Sequence, residues 1–191
     1  MGRPRSDTAR QAVLDAAYDV LVERGISGFS VEAVATRSGV ARTTIYRSWS
    51  SKGLLAVESL LAAFQLELAY AETGDTVADF RNLLASLVLV LSGPTGRIAA
   101  SVLAEAQSDP KTRQAFLDKF SMPLRQQSGH ILSRGIASGV FRRDLNVTVV
   151  LDATVGGAYL RLLMGQPLDA AWACALADTV LQGCFADTRP R

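Results

Sequence analysis

The chain has 191 residues, 49% of them apolar and 20% charged with both signs interspersed, a balance that excludes a disordered tail and suits one domain, or a small one joined to a larger one. Net charge is +2, but it is uneven: Met1 to Gly53 hold eight basic residues against five acidic ones, whereas the remainder holds twelve against thirteen, so a polyanion would be met at the N-terminal end. The longest apolar run, Leu83 to Leu91, is far short of the ~20 residues of a membrane span, and nothing like an export signal follows Met1, so a cytoplasmic protein without membrane segments is expected.

In chain order, Asp7 to Arg24 carries a helical stripe of Val13, Ala16, Ala17, Val20 and Leu21, with Ser6 placed to cap its start and Gly25 to end it. Ser30 caps a short second helix that stops at Gly39, and a third short helix runs from about Arg42 to Trp49. Lys52 to about Ala71 is a long helix. Thr76 is expected to cap an apolar helix ending at Ser92-Gly93-Pro94, followed by a helix over 96–107. Asp109-Pro110 is an N-cap and first-turn pair opening a long helix that carries Pro123 and is expected to bend there. Asn146 opens a helix to Met164, and Asp169 opens the last, ending near Ala186. The expected fold is all-α with about nine helices: a small N-terminal three-helix domain over residues 1–53 and a larger helical domain over 54–191. Cys174 and Cys184 lie about 15 Å apart on what reads as one helix, too far for a disulfide, and are read as buried thiols.

Two short helices joined by a glycine turn and braced by a longer one are what is needed to push a helix end into a major groove. In the third helix Ile45 and Trp49 are four apart and face the brace, leaving Arg42, Thr43, Thr44, Tyr46 and Arg47 outward. Arginine grips guanine or phosphate bidentately, threonine offers a hydroxyl or methyl to base edges, and tyrosine reaches a phosphate oxygen. Lys52, with the free N–H groups of the next helix start, adds a second phosphate site. Taken alone, Arg42 and Arg47 equally fit a solvated basic face.

The stretch from Val31 to Leu60, with Ala33-Val34-Ala35, Ser38-Gly39-Val40, Thr44-Ile45-Tyr46-Arg47-Ser48-Trp49 and Ser51-Lys52-Gly53-Leu54-Leu55, resembles the TetR family of transcriptional regulators. The resemblance implies a helix-turn-helix in which the segment beginning at Ala41, with Arg42, Thr43, Thr44, Tyr46 and Arg47, touches double-stranded DNA and Lys52 holds a phosphate. Ala41 stands where a capping serine is frequent, which weakens that cap by about 1 kcal/mol, and Ser48 stands where a histidine is frequent. Gly2-Arg3-Pro4-Arg5 is similar to the family's basic arm. Arg3 and Arg5 either follow phosphates or the minor groove, or belong to an end without a role.

The 147–164 helix has charges only at Asp152 and Arg161, on opposite sides, and the last helix is nearly as apolar. They are either interior to one bundle or, as the resemblance implies, form a four-helix interface between two copies, with Ala153, Gly157, Leu160, Trp172, Leu176, Val180 and Leu181 in it. Two reading helices about 34 Å apart would then engage successive major grooves of a near-palindrome. The resemblance also implies a small-molecule effector, with Phe64, Leu68, Leu84, Val88, Val102, Glu105, Phe116, Phe120 and Tyr159 as candidate contacts. Glu105 shares a face with Ile98 and Val102, so its carboxylate either points inward toward a donor or is exposed or paired with a cation. Neither a nucleophile motif, nor a phosphate loop after a strand, nor metal-ligand spacing is present, so no catalytic residue, metal or cofactor is expected. The rival classes are an enzyme with an unrecognised carboxylate site and a helix-turn-helix repressor without an effector.

Overall fold

A computed structural model describes residues 3–185, with side chains from Asp7 onward. Ten α-helices are formed: α1 (Arg3–Arg24), α2 (Val31–Ser38), α3 (Arg42–Ser48), α4 (Lys52–Glu67), α5 (Thr76–Ser92), α6 (Pro94–Ser108), α7 (Pro110–Ala115), α8 (Met122–Ala137), α9 (Val147–Leu163) and α10 (Ala170–Gln182). A π-helical turn, Phe116–Ser121, joins α7 to α8, so 110–137 is one irregular rod and the count of nine expected helices stands. Among the described residues the only extended pairing is an isolated bridge between Phe141 and Phe185.

The described residues group into two compact units, 3–67 with 94–122 and 68–93 with 123–185. In the first, Val13, Ala17, Val20 and Leu21 of α1 are buried, as are Leu55, Val57 and Leu60 of α4 and Ile98, Ala99 and Val102 of α6. Each such side chain contributes about 1.5–3 kcal/mol on burial. Because α4, α6 and α7 pack within the same unit as α1 to α3, the helix-turn-helix is not spatially separate at residue 53. Gly53 shows why: a Cβ there would collide with the Thr112 hydroxyl of α7, so only glycine lets these helices meet so closely.

In the second unit, Phe80 and Leu83 of α5, Ile131 and Leu132 of α8, Leu151 of α9 and Leu181 of α10 bury one another together with Phe141. Asp79 is fully buried; its carboxylate accepts from the Thr73 backbone N–H at 2.6 Å, from the Thr73 hydroxyl at 2.8 Å and from Arg134. The Thr73 N–H lowers its pKa, burial opposes this, and the Thr73 hydroxyl and Arg134 complete the shift below the usual carboxylate range.

Several boundaries differ from those expected. Helix α1 begins at Arg3, so Ser6 lies inside it and the basic arm is helical in backbone from Arg3; the side chains of Arg3 and Arg5 lie outside the described residues. The cap of α5 is Asp75, whose carboxylate accepts from the N–H groups of Val77 at 2.8 Å and Ala78 at 3.1 Å, while Thr76 is the first helical residue. An ionised cap also suits the positive end of the helix dipole better than a hydroxyl. Cys174 is exposed on α10 and Cys184 lies beyond its end. The irregularity near Pro123 precedes the proline: it has no N–H to bond the Lys119 carbonyl in α register, and the chain widens into the π turn there.

Candidate nucleic-acid interface

The Ser30 hydroxyl caps α2 by accepting from Ala33 N–H at 3.2 Å, and Gly39 ends it at φ 70°, where a side chain would be strained. That left-handed residue turns the chain into α3. With seven residues and no side-chain N-cap, α3 is too short to persist alone, and it is held from below: Ile45 is 0% and Trp49 2% exposed. The opposite side carries Arg42, Thr43, Tyr46 and Arg47, all exposed, with Ala41 exposed at the start and Thr44 half-buried. Periodicity predicts this division, with Thr44 the exception: expected outward, it is half-buried.

The exposed cations are not all free. Arg42 pairs with Glu32 of α2 at 3.3 Å, and both side chains are more than half exposed. Glu32 is held below the usual carboxylate range by its own backbone N–H first and by Arg42 second. Lys52, at the start of α4, pairs with Glu105 of α6 at 3.7 Å. Glu105 therefore takes the cation-paired alternative rather than pointing inward. Both pairs are solvent-screened and therefore weak.

Beneath α3 lies a group that sequence reading missed. The Trp49 indole N–H donates to Glu58 of α4 at 2.9 Å, Lys119 of the π turn pairs with the same carboxylate at 2.9 Å, and Arg10 of α1 reaches it as well. The Arg10 guanidinium also sits 4.7 Å from the Trp49 ring centre. Burial would raise the Glu58 pKa, but the hydrogen bonds from Lys119 and Trp49 and the charge of Arg10 bring it below its ordinary value. A signal was available: Glu58 is the only charge between Lys52 and Glu67 in a mostly apolar helix.

In the second unit α5, α8 and α9 enclose a small apolar cavity of about 20 Å³, lined by Phe80, Leu83, Leu84 and Leu87 with Leu124, Ser128, Leu151, Thr154 and Val155. Both hydroxyls there donate to carbonyls of their own helices, Ser128 to Leu124 and Thr154 to Val150, leaving an uncharged lining with room for roughly one water. Of the nine candidate effector contacts, Leu84 lines this cavity; Val88 is buried and Leu68 packs against the same unit's core. Tyr159 is half-buried, and burial pushes its phenol above its ordinary value. Phe64, Phe116 and Phe120 form an aromatic cluster of their own in the first unit, with ring centres 4.9 and 5.0 Å apart, and Val102 is buried in that unit.

On the last two helices Ala153 and Leu160 are exposed and Gly157, Trp172, Leu176 and Val180 half-buried, with Arg161 stacked 5.1 Å from the Trp172 ring centre. Leu181 differs: it is 1% exposed, inside its own unit's core, and so cannot form part of an outward face. Val149, Leu163 and Met164 add further exposed apolar surface. No single helix among the described residues is long and apolar enough to cross a membrane.

Two family models match the chain: one described as bacterial regulatory proteins, tetR family, over residues 13–58, and one described as tetracyclin repressor-like, C-terminal domain, over 70–180. The chain is 32% identical over 163 residues to an uncharacterized HTH-type transcriptional regulator, YdeS, of Bacillus subtilis, spanning 85% of this chain and 82% of that one. It is 27% identical to the DNA-binding transcriptional repressor TetR of Mycobacteroides abscessus, over 93% of this chain and 94% of the relative. Among solved structures, the TetR family transcription regulator SCO0332 superposes with a TM-score of 0.80 at 33% identity, covering 93% of this chain and 99% of the other.

Proposed function

Because this chain belongs to the TetR family of bacterial regulatory proteins, we propose that it acts as a ligand-responsive repressor: a homodimer that grips a near-palindromic operator through α3 of each copy and lets go when a small apolar effector binds. Residues 1–53 read DNA and 54–191 sense the effector and dimerise. The observation that carries this reading is the two-sidedness of α3. Ile45 and Trp49 are buried while Arg42, Thr43, Tyr46 and Arg47 stand outward beside Lys52, which gives one short helix both an anchor and a set of base and phosphate donors.

Dimerisation is supported by apolar side chains at the surface of α9 and the segment after it, where Leu160, Leu163 and Met164 are all more than half exposed. One reading helix makes few contacts, so a two-fold pair is needed for a specific operator affinity. The effector's chemistry follows from the uncharged lining around Leu84 and Thr154. A cavity that holds roughly one water must open to admit anything larger, so binding and rearrangement are coupled.

Sequencing the fragments retained by the purified protein from a random duplex library tests the DNA half. A near-palindromic consensus whose binding falls steeply with salt is expected; no salt-sensitive binding to any duplex would refute the assignment. A compound screen tests the other half. Compounds that raise Tm and release operator are expected. Stabilisation without release would argue for a carrier or an enzyme, and operator binding with no responsive compound for a repressor without an effector.

A further inference from the structure

Resting on the reading of α3 as the DNA-contacting helix, we propose that Glu58 is a positioning residue for DNA recognition, fixing the C-terminal end of α3 through Trp49 and coupling it to the π-helical turn through Lys119. Glu58 touches none of the DNA-facing side chains. It acts through the indole, whose N–H it receives at 2.9 Å, while Arg10 covers the indole face 4.7 Å from the ring centre.

Three features make this arrangement more than a surface ion pair. The Glu58 side chain is only 11% exposed, so its charge is costly unless all its donors stay in place. Trp49 is the residue that closes α3: its backbone N–H bonds the Ile45 carbonyl at 2.8 Å, so displacement of the indole displaces the turn that carries Tyr46 and Arg47. Finally, Lys119 comes from the one described segment where helical register changes. Its neighbours Phe116 and Phe120 are buried, Phe120 against Phe64 of α4, and they fix the height at which the Lys119 ammonium meets the carboxylate. Loss of the Lys119 ammonium from this carboxylate would leave a largely buried charge one donor short beneath α3. The turn and the end of α3 are thus joined through one carboxylate, a contiguous chain of contacts through which a shift in either can reach the other.

The test uses the full-length native protein, Glu58→Gln, Lys119→Met and the double variant, with the operator recovered as above. Gln keeps an acceptor for the indole but loses the charge, and Met keeps the length of the half-exposed lysine stem, so both are compatible with folding. Lys119→Met is expected to weaken operator binding about fivefold and Glu58→Gln about tenfold. The slope of log K against log salt should be unchanged in Lys119→Met, because no phosphate contact is lost. The double variant should bind no more weakly than Glu58→Gln alone. In ¹H–¹⁵N spectra the indole N–H resonance of Trp49, identified by its loss in Trp49→Phe, should move in both single variants while that of Trp172 stays still. Operator affinity within twofold of native in Lys119→Met, a shallower salt slope, additive losses, or an unmoved Trp49 resonance would each overturn the proposal. Failure of the native chain to bind any duplex overturns the α3 reading and this proposal with it, whereas native binding matched by Lys119→Met overturns this proposal alone.

Discussion

The two units solve the same packing problem with opposite use of polar groups. Beneath α3 a single carboxylate, Glu58, gathers an arginine, a lysine and an indole N–H at the edge of the core, whereas the α5–α8–α9 cavity has no charged lining and turns both its hydroxyls back onto their own helices. The first arrangement fixes one geometry, because hydrogen bonds are directional and a buried charge tolerates no missing partner. The second fixes none in particular, because apolar contacts are non-directional and side chains can give way to a guest. The proposed reading surface would need the first property and the proposed effector cavity the second.

The sharpest way to break that comparison is to attack the apolar surface on which the proposed two-fold binding rests. Leu160→Asp should give monomers by analytical ultracentrifugation and lower affinity for the full operator by at least about 100-fold, since one of two reading helices is lost. Unchanged mass and affinity would place the interface elsewhere.

A smaller effect separates the two units directly through their tightest glycines. A Cβ at Gly53 would strike Thr112, and one at Gly135 would strike the Phe141 ring. Each Gly→Ala change should cost about 1–3 kcal/mol of stability by overpacking, measured by urea unfolding. Only Gly53→Ala, next to Lys52 and the α3–α4 junction, should also weaken operator binding when assayed far below Tm. Equal binding losses would mean that α3 senses strain anywhere in the molecule.

Acid offers a third probe. Asp79 and Glu58 both have folded pKa values below their ordinary ones. The stability they contribute is therefore present above the unfolded value near about 4 and is lost as pH falls through the lower folded values. Thermal melts from about pH 6 down to about pH 3 should show a falling Tm, less steep in Asp79→Asn, whose neutral amide has no such proton to take up. A slope identical to native would remove Asp79 from the account. The smallest effect is expected at Glu32→Gln: releasing Arg42 from an exposed pair should raise affinity for all duplexes by about twofold or less, with discrimination between sequences reduced. A loss of affinity would instead show that Glu32 holds Arg42 in its reading position.

The ends of the helices illustrate how far local chemistry reaches. Ser30, Asp109, Asn146 and Asp169 all cap the helices expected of them, because a cap satisfies N–H groups two or three residues away and needs no distant partner. Ser6 and Thr76 fail for an equally local reason: a hydroxyl is a good cap only where the chain is not already helical. That holds at neither position, since α1 is already helical at Arg3 and Asp75 offers a stronger acceptor one residue earlier. The candidate DNA contacts were legible for the same reason as the caps. Arg42 to Trp49 span two turns, and a 3.6-residue period decides which side chains face the brace.

The placement of the candidate effector contacts, the Glu58 cluster and the fate of Leu181 were not legible in that way. Phe116 and Phe120, candidates through the family resemblance, lie in the first unit, where Phe120 meets Phe64 edge-on and Phe116 packs on Phe120. Glu58 meets residues 48 positions before it and 61 after it, separations that no helical period encodes. Leu181 and Val180 are adjacent on an apolar helix, and only the packing of α5 against α10 turns one inward and leaves the other half-exposed. The sequence by itself determined the all-helical architecture, the glycine turn at Gly39 and the two-sidedness of α3, because each depends on interactions within about one or two turns. The tertiary structure alone decided which apolar residues share a cavity, which cation meets Glu58 and which face of α10 is free, because those depend on how separate helices dock. Docking is governed by the summed shape of many side chains rather than by any local pattern.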